Sequence, residues 1–356
     1  MEEQCMVLDP DGDLLVILRN PDRTTDPSDD EGQPIDPDYS YVTEFEPFER
    51  EPSSLKTTIV ADFDDETTSI PSDDDSEHEW VFKTSSKHLA LSSTYFKNTL
   101  KRDWHEATKI HEDGLKHWEV QDFDAKAMEI VLSVIHLRNS TIPRTLHDLD
   151  TLVEIARIVD YLECHEAMEL YASLWIRGLE YRVPDVYNIE LLRWICIAGV
   201  FRHKKLFERC TRVAIKENHL GIPTLGLPIL PRISKVINDT RMDHLDKVFA
   251  SVYSLMDSLT QDTICSLECD AFCLGILIKR LQAEFRTPRP KRPYPKMSID
   301  KALRVLTQLS TSVDWSLAPS AHSFCGFNDL ELSLFQLEIQ IVGLDLENGL
   351  PIQNPW

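Results

Sequence analysis

The residues with most chemistry to offer are four thiols and an imidazole in the last third of the chain. Cys265, Cys269 and Cys273 recur every four residues, and a His322-x2-Cys325 pair follows. Residues four apart on a helix sit one above the other. Cys265 and Cys269 could therefore share a tetrahedral zinc ion, with His322 and Cys325 completing a Cys3His set. Closed on all four sides, such a site is structural. With an open position it would be the centre of a metal-dependent enzyme. The competing reading puts the three helical thiols on a buried stripe, where cysteine packs as a small hydrophobe. Cys273 is a core thiol on either reading.

Other catalytic signatures stop short. His117-x-Glu119 opens the zinc-deaminase pattern, but no Pro-Cys-x-x-Cys follows. His165-Glu166 lacks the second histidine of a zinc protease. No G-x-G-x-x-G, Walker or G-x-S-x-G sequence occurs, and eleven glycines leave little material for a phosphate-cradling loop.

The elements that must position these residues are mostly helical. Thr263–Phe285 would carry the cysteines, and the segment before a helix at Leu330–Val342 carries His322 and Cys325. Ahead of them, Ile189–Phe201 and Lys205–Ile215 form an amphipathic pair, and Asp243–Leu259 another helix. Pro223–Pro231 is a Gly/Pro loop, and Ser298–Leu309 a further helix. Arg286–Lys296 holds three arginines, two lysines and four prolines. It reads as a solvated interhelical loop, a PxxP ligand, a weak nuclear-import signal or a contact for an acidic segment.

The first half differs. Asp11–Leu18 is a short apolar run after a turn signal and predicts a buried strand. Trp118–Val120 predicts another. Ala125–His136 predicts a helix burying Met128, Val131, Leu132 and Ile135. Asp148 can cap the next helix, and Cys164–Leu179 carries Ala167, Leu170, Leu174 and Trp175 on one face. Between the early strands lies Asn20–Glu79, rich in Asp, Glu, Pro, Ser and Thr. Residues 21–79 hold 20 acidic against 3 basic side chains, so −17 of the net −23 resides there. Such a composition buries too little apolar surface to offset the entropy of ordering and predicts disorder. Tyr39–Phe48 and Thr57–Phe63 are less polar patches within it. The charge argues against nucleic-acid binding. No apolar run reaches the ~20 residues of a membrane helix, and the acidic N-terminus is unlike a signal peptide. A cytoplasmic or nuclear protein is the expectation.

The stretch Val81–Leu100, VFKTSSKHLALSSTYFKNTL, ties the two parts together. A strand ends near Phe82, and serines at 85 and at 92 or 93 can cap two short helices. Phe82, Leu89, Ser93, Tyr95 and Phe96 resemble the entrance hairpin of a BTB/POZ domain. Ser85 stands where that pattern has histidine and Thr94 where it has proline. The resemblance implies an α+β fold: a small BTB/POZ-like sheet with helical hairpins over residues 1–180, followed by an all-α domain over 181–356. It implies that Asp11–Leu18 pairs with the strand ending at Phe82, and that a serine at 85 takes over a bond to Asp13.

The function implied is non-enzymatic protein–protein interaction, self-association as a homodimer included. Tyr95 and Phe96 would lie on the partner-binding surface. Trp104-x-Glu106 fits the hydrophobic-x-Glu motif of BTB domains that recruit a cullin scaffold, which would make the protein a ubiquitin-ligase substrate adaptor. The competing reading packs Trp104 on the domain's own core. The helical half is similar to fungal BTB proteins with a helical C-terminal region, whose wording includes a Cys/His set. A transcription-linked regulator is a further alternative, although no DNA-binding module is visible.

Overall fold

The computed structural model describes residues 4–19, 79–101, 109–219, 221–223, 225–228, 231–309 and 327–349. Four strands form one mixed sheet: β1 (Gln4–Val7), β2 (Leu14–Arg19), β3 (Glu79–Thr84) and β4 (Lys116–Gln121), in the order β1-β3-β2-β4. β2 and β3 pair antiparallel, with Val16 opposite Phe82, and β4 runs parallel to β2 with Trp118 opposite Val16. The expected pairing of the early strand with the strand at Phe82 is therefore present. β2 is flanked on both sides, and Leu14, Val16, Ile17 and Leu18 are all buried. Val16 and Ile17 point to opposite faces and both are covered, so β2 reads as a continuous apolar run without alternation. β1 has no such signal and was not expected. It lies parallel to β3, from Gln4 beside Trp80 to Val7 beside Lys83.

β3 leads directly into α1 (Ser86–Ser92) and α2 (Thr94–Lys101). After β4 come α3 (Ala125–Ile135), α4 (Leu149–Leu162) and α5 (His165–Leu179). Asp124 caps α3 through the Ala127 amide, and Asp148 caps α4 through the Thr151 amide. Each carboxylate satisfies an amide that the helix itself leaves unpaired. Trp175 is buried and donates its indole N–H to the Pro143 carbonyl at 2.8 Å. Leu170 and Leu174, expected beside it in the core, instead face outward, Leu170 with 68% of its surface open. α5 is packed on one side by α3 and α4, so its apolar stripe is wider than the surface that covers it.

The remaining described elements are helices: α6 (Ile189–Val200), α7 (Lys204–Glu217), α8 (Pro231–Gln261), α9 (Leu267–Phe285), α10 (Ile299–Thr307), α11 (Phe327–Ile339) and the short α12 (Leu346–Gly349). α8 is the spine of this half, and α7, α9, α10 and α11 all pack on it. Its buried stripe runs Ile233, Ile237, Leu245, Val248, Phe249, Val252, Met256 and Leu259. The helix starts twelve residues before the expected Asp243; a proline in the first turn is tolerated because its missing N–H would have had no partner there. The apolar core is continuous across the two halves, since α4 packs on α6. An Arg193–Asp150 ion pair at 3.0 Å lies across that junction.

The proline-rich Arg286–Lys296 segment is a largely exposed interhelical loop, as expected, but it is tethered to α8. Arg289 reaches Asp257 at 2.5 Å, and Arg292 reaches Asp243 at 2.9 Å and Asp246 at 3.3 Å. Tyr294 is buried, stacks on Phe249 and donates its hydroxyl to Asp246. Arg289 and Arg292, two of the three arginines of this segment, are thus matched by carboxylates of α8.

Candidate functional site

The corner where β3 becomes α1 is held from outside. Ser86 donates both its amide (2.8 Å) and its hydroxyl (2.7 Å) to the Asp13 carboxylate just ahead of β2. Lys116 at the start of β4 adds an ion pair to the same carboxylate at 3.2 Å. Burial by itself raises the Asp13 carboxyl. The Ser86 donors and the Lys116 ammonium outweigh it and bring the group down to about 2. The serine expected to bond Asp13 was Ser85; the contact is made by Ser86. Ser85 donates its own amide to Nε2 of His136 at 2.9 Å, a partner 51 residues away. Gly12 makes the close approach possible, because a Cβ there would lie 2.4 Å from the Thr84 carbonyl oxygen.

Ser93 joins α2 to α4. Its hydroxyl accepts from the Phe96 amide at 3.1 Å and donates to the Leu162 carbonyl at 2.5 Å. α2 is therefore anchored at its first turn. The ring of Phe96 is buried, at 1% exposure, and meets Trp118 edge-on at 4.7 Å. Phe96 is consequently a core residue here, and the expectation of a surface contact does not hold for it. Tyr95 is half-buried and lies against Tyr161 of α4 (5.2 Å between rings) and against Trp118 (6.1 Å). Phe123 closes the group from the other side of Tyr161, and Arg157 stands over the Phe123 ring at 5.8 Å. Tyr161 is exposed. This is an aromatic cluster with one open side, built from residues that supply much contact area at little loss of side-chain freedom. On α1, Leu91 projects with 84% of its surface open.

Trp104 and Glu106 lie outside the described residues. The chain that carries them leaves from Lys101, at the end of the helix bearing Tyr95. It is described again from Lys109, ahead of an Ile110–Lys116 bridge at the margin of the sheet.

Of the proposed zinc ligands, His322 and Cys325 also lie outside the described residues. Cys265 and Cys269 are not on one helix. Ser266 caps α9 by accepting the Cys269 amide, and the helix begins at Leu267. The Asp270 carboxylate takes the Ile264 and Cys265 amides and fixes the turn ahead of it. The pair in helical register is Cys269 and Cys273. Both are buried and continue into Leu277 and Leu281 as one stripe. Among the described residues no three His, Cys, Asp or Glu side chains are grouped to hold a metal ion. The other deaminase-like residue, His117, pairs with Asp113 at 2.8 Å and stacks on His111.

Sequence reasoning found the corner, Ser93 and Asp13. It missed His136, Tyr161 and Phe123, because nothing local in the sequence connects them to the hairpin.

Comparison with known families agrees with the corner. The BTB/POZ domain model matches residues 76–177, so a BTB/POZ domain is present there. The match begins just ahead of β3. β2, which forms the middle of the sheet, lies upstream of it beyond the long acidic insertion. A BTB/POZ domain is a protein–protein interaction module, and its sheet with flanking helices and the helical region that follows make the fold α+β. No curated protein matches the chain. Among the described residues no helix is long and apolar enough to cross a membrane.

Proposed function

We propose that the chain is a non-enzymatic adaptor that grips another polypeptide through its BTB/POZ domain, and that the partner is a cullin-type ubiquitin-ligase scaffold. On this reading residues 1–180 are the gripping unit, interrupted by the acidic insertion at about 20–79. Residues 181–356 are a helical unit. The observation that carries the proposal is the juxtaposition on α2. Tyr95, which lies against the exposed Tyr161 of α4, is on the short helix whose chain runs on to Trp104 and Glu106. A tryptophan with a charged neighbour is good anchor material. Tyr95 and Trp104 would fill an apolar pocket on the scaffold, and Glu106 would accept a hydrogen bond or ion pair at its rim.

The test is a titration of the purified chain with the purified N-terminal region of a cullin. Wild type is expected to bind, and Trp104→Ala with Glu106→Ala to lose at least tenfold in affinity. No binding by wild type to any cullin tried, or equal binding by the double variant, removes the scaffold assignment.

A zinc ion held by Cys265, Cys269, His322 and Cys325 would be structural on this account, tying the start of α9 to the segment before α11. A metal-dependent enzyme would need convergent ionisable groups around an open coordination position. The Cys269–Cys273–Leu277–Leu281 stripe supports the packing role of the thiols instead.

A further inference from the structure

We propose that the β3–α1 corner is a proton-operated catch. His136 holds the corner only as a neutral imidazole, and proton uptake by that ring releases the front of α1 while Asp13 keeps its own grip. The inference concerns regulation of the same surface and rests on the reading that α1 and α2 face the partner.

The geometry fixes the state of the ring. Nδ1 lies 2.8 Å from the Leu132 carbonyl oxygen, which can only accept, so Nδ1 carries the proton. Nε2 is then the acceptor, and it takes the Ser85 amide at 2.9 Å. Both ring nitrogens are committed, and the side chain is buried at the end of α3. A second proton has one place to go, Nε2, and there it would point an N–H at an N–H. The Ser85 bond cannot survive this without the ring or the backbone moving.

The surroundings work against the charged ring. Burial is the main cause that lowers its pKa. His88 of α1 meets it edge-on at 5.3 Å and opposes a second positive charge, as does Arg138 just beyond α3. Asp9, in the turn between β1 and β2, and the Leu132 carbonyl favour protonation but do not outweigh the rest. Lys83 of β3 is engaged with the Pro10 carbonyl, and Asp13 with Ser86 and Lys116.

The two grips on the corner therefore part company on acidification. Asp13 stays ionised down to about pH 2. His136 takes up its proton below the ordinary imidazole range, because burial opposes the charged ring. In the window between them α1 keeps its Ser86 anchor and loses its Ser85 anchor. It becomes a tethered helix with a loosened entry, and the orientation of α1 and α2 becomes less defined.

Three measurements test this. Ring 15N shifts of His136 in the intact chain should show the Nδ1–H tautomer at pH 7.5 and a midpoint below the ordinary value near 6.5. The amide protection factor at Ser85, corrected for intrinsic exchange, should fall about five- to tenfold as that midpoint is crossed, the size of one lost hydrogen bond, while that at Ser86, held by Asp13, should not. His136→Gln, whose side-chain oxygen can accept from the Ser85 amide without titrating, should abolish the fall. If that variant does not fold, the wild-type shifts decide alone. An Nε2–H tautomer, an unshifted midpoint, or protection that does not follow the titration overturns the proposal.

Affinity for the cullin fragment at pH 7.5 and at a pH below the His136 midpoint measured above is the separate arm. Wild type should weaken and His136→Gln should not. Loosening of the corner with unchanged affinity refutes the coupling to the partner. Absence of binding at either pH refutes the functional reading, while the exchange data still judge the catch.

Discussion

Ser93→Ala removes one oxygen atom, and the structure says what it should cost. The hydroxyl is buried, at 1% exposure, and makes two bonds. As acceptor it satisfies the Phe96 amide in the first turn of α2, a capping role whose loss costs about 1 kcal/mol, with a range of roughly 0.5–2. As donor it satisfies the Leu162 carbonyl at the end of α4. Leaving a buried acceptor unpaired costs about 1–3 kcal/mol. The methyl group fits the space and opens no large cavity, so no packing penalty is added. The expected total is about 2–4 kcal/mol, most of it felt at the α2–α4 junction. Ser173→Ala is the control: its hydroxyl only bonds back to Glu169 on an exposed face, and it should change stability by no more than ~0.5 kcal/mol. Urea unfolding of both variants beside wild type, followed by fluorescence and circular dichroism, reads the difference. A loss below about 1 kcal/mol for Ser93→Ala would mean that the hydroxyl does not bridge the two helices, and the anchoring of α2 would have to be reconsidered.

Further expectations follow from the same geometry. Asp13→Asn should destabilise by about 1 kcal/mol at pH 7, the half-exposed carboxylate being discounted for solvent screening. Because the folded-state carboxyl is depressed, its contribution is present above the unfolded value near 3.8 and is lost as pH falls through about 2. Wild type and variant should therefore converge in acid unfolding near pH 2, and a gap that persists there contradicts the ionic role. Gly343→Ala would place a Cβ 1.8 Å from the Glu208 carbonyl oxygen of α7. The backbone must move away, and proteolysis of the C-terminal segment around Leu344 should quicken severalfold; an unchanged rate contradicts the packing. Arg241→Ala removes a buried guanidinium that donates to the Tyr294 and Met297 carbonyls. A loss of roughly 2–4 kcal/mol is expected in urea unfolding, from two acceptors left unpaired.

The sequence was most readable where one local pattern decided the outcome. The apolar run within Asp11–Leu18, following a turn signal, read as a buried strand, and it is one. Asp148, immediately before a 3.6-period stripe, could only be a cap. Tertiary choices were less readable. β1 exists because β3 offers it an edge, and Gln-Cys-Met-Val has no alternation to announce that. The assignment of Leu170 and Leu174 to the core followed the periodicity of α5 correctly, but periodicity says nothing about how wide a face the neighbours cover. At α9 the spacing of Cys265 and Cys269 matched a helical turn, yet Ser266 was the better cap and set Cys265 outside the helix. Within the candidate site, the hairpin carried its own signal, whereas His136 and Tyr161 are brought to it only by the packing of α3 and α4.

The central claim is that the hairpin and the segment after α2 meet another protein. Hydrogen exchange of the intact chain with and without the cullin fragment tests it most directly. Added protection confined to Thr94–Lys101, the 102–108 segment and the Tyr161 end of α4 is the predicted result. Protection elsewhere with those peptides unchanged, or none on any element of residues 76–177, would contradict it.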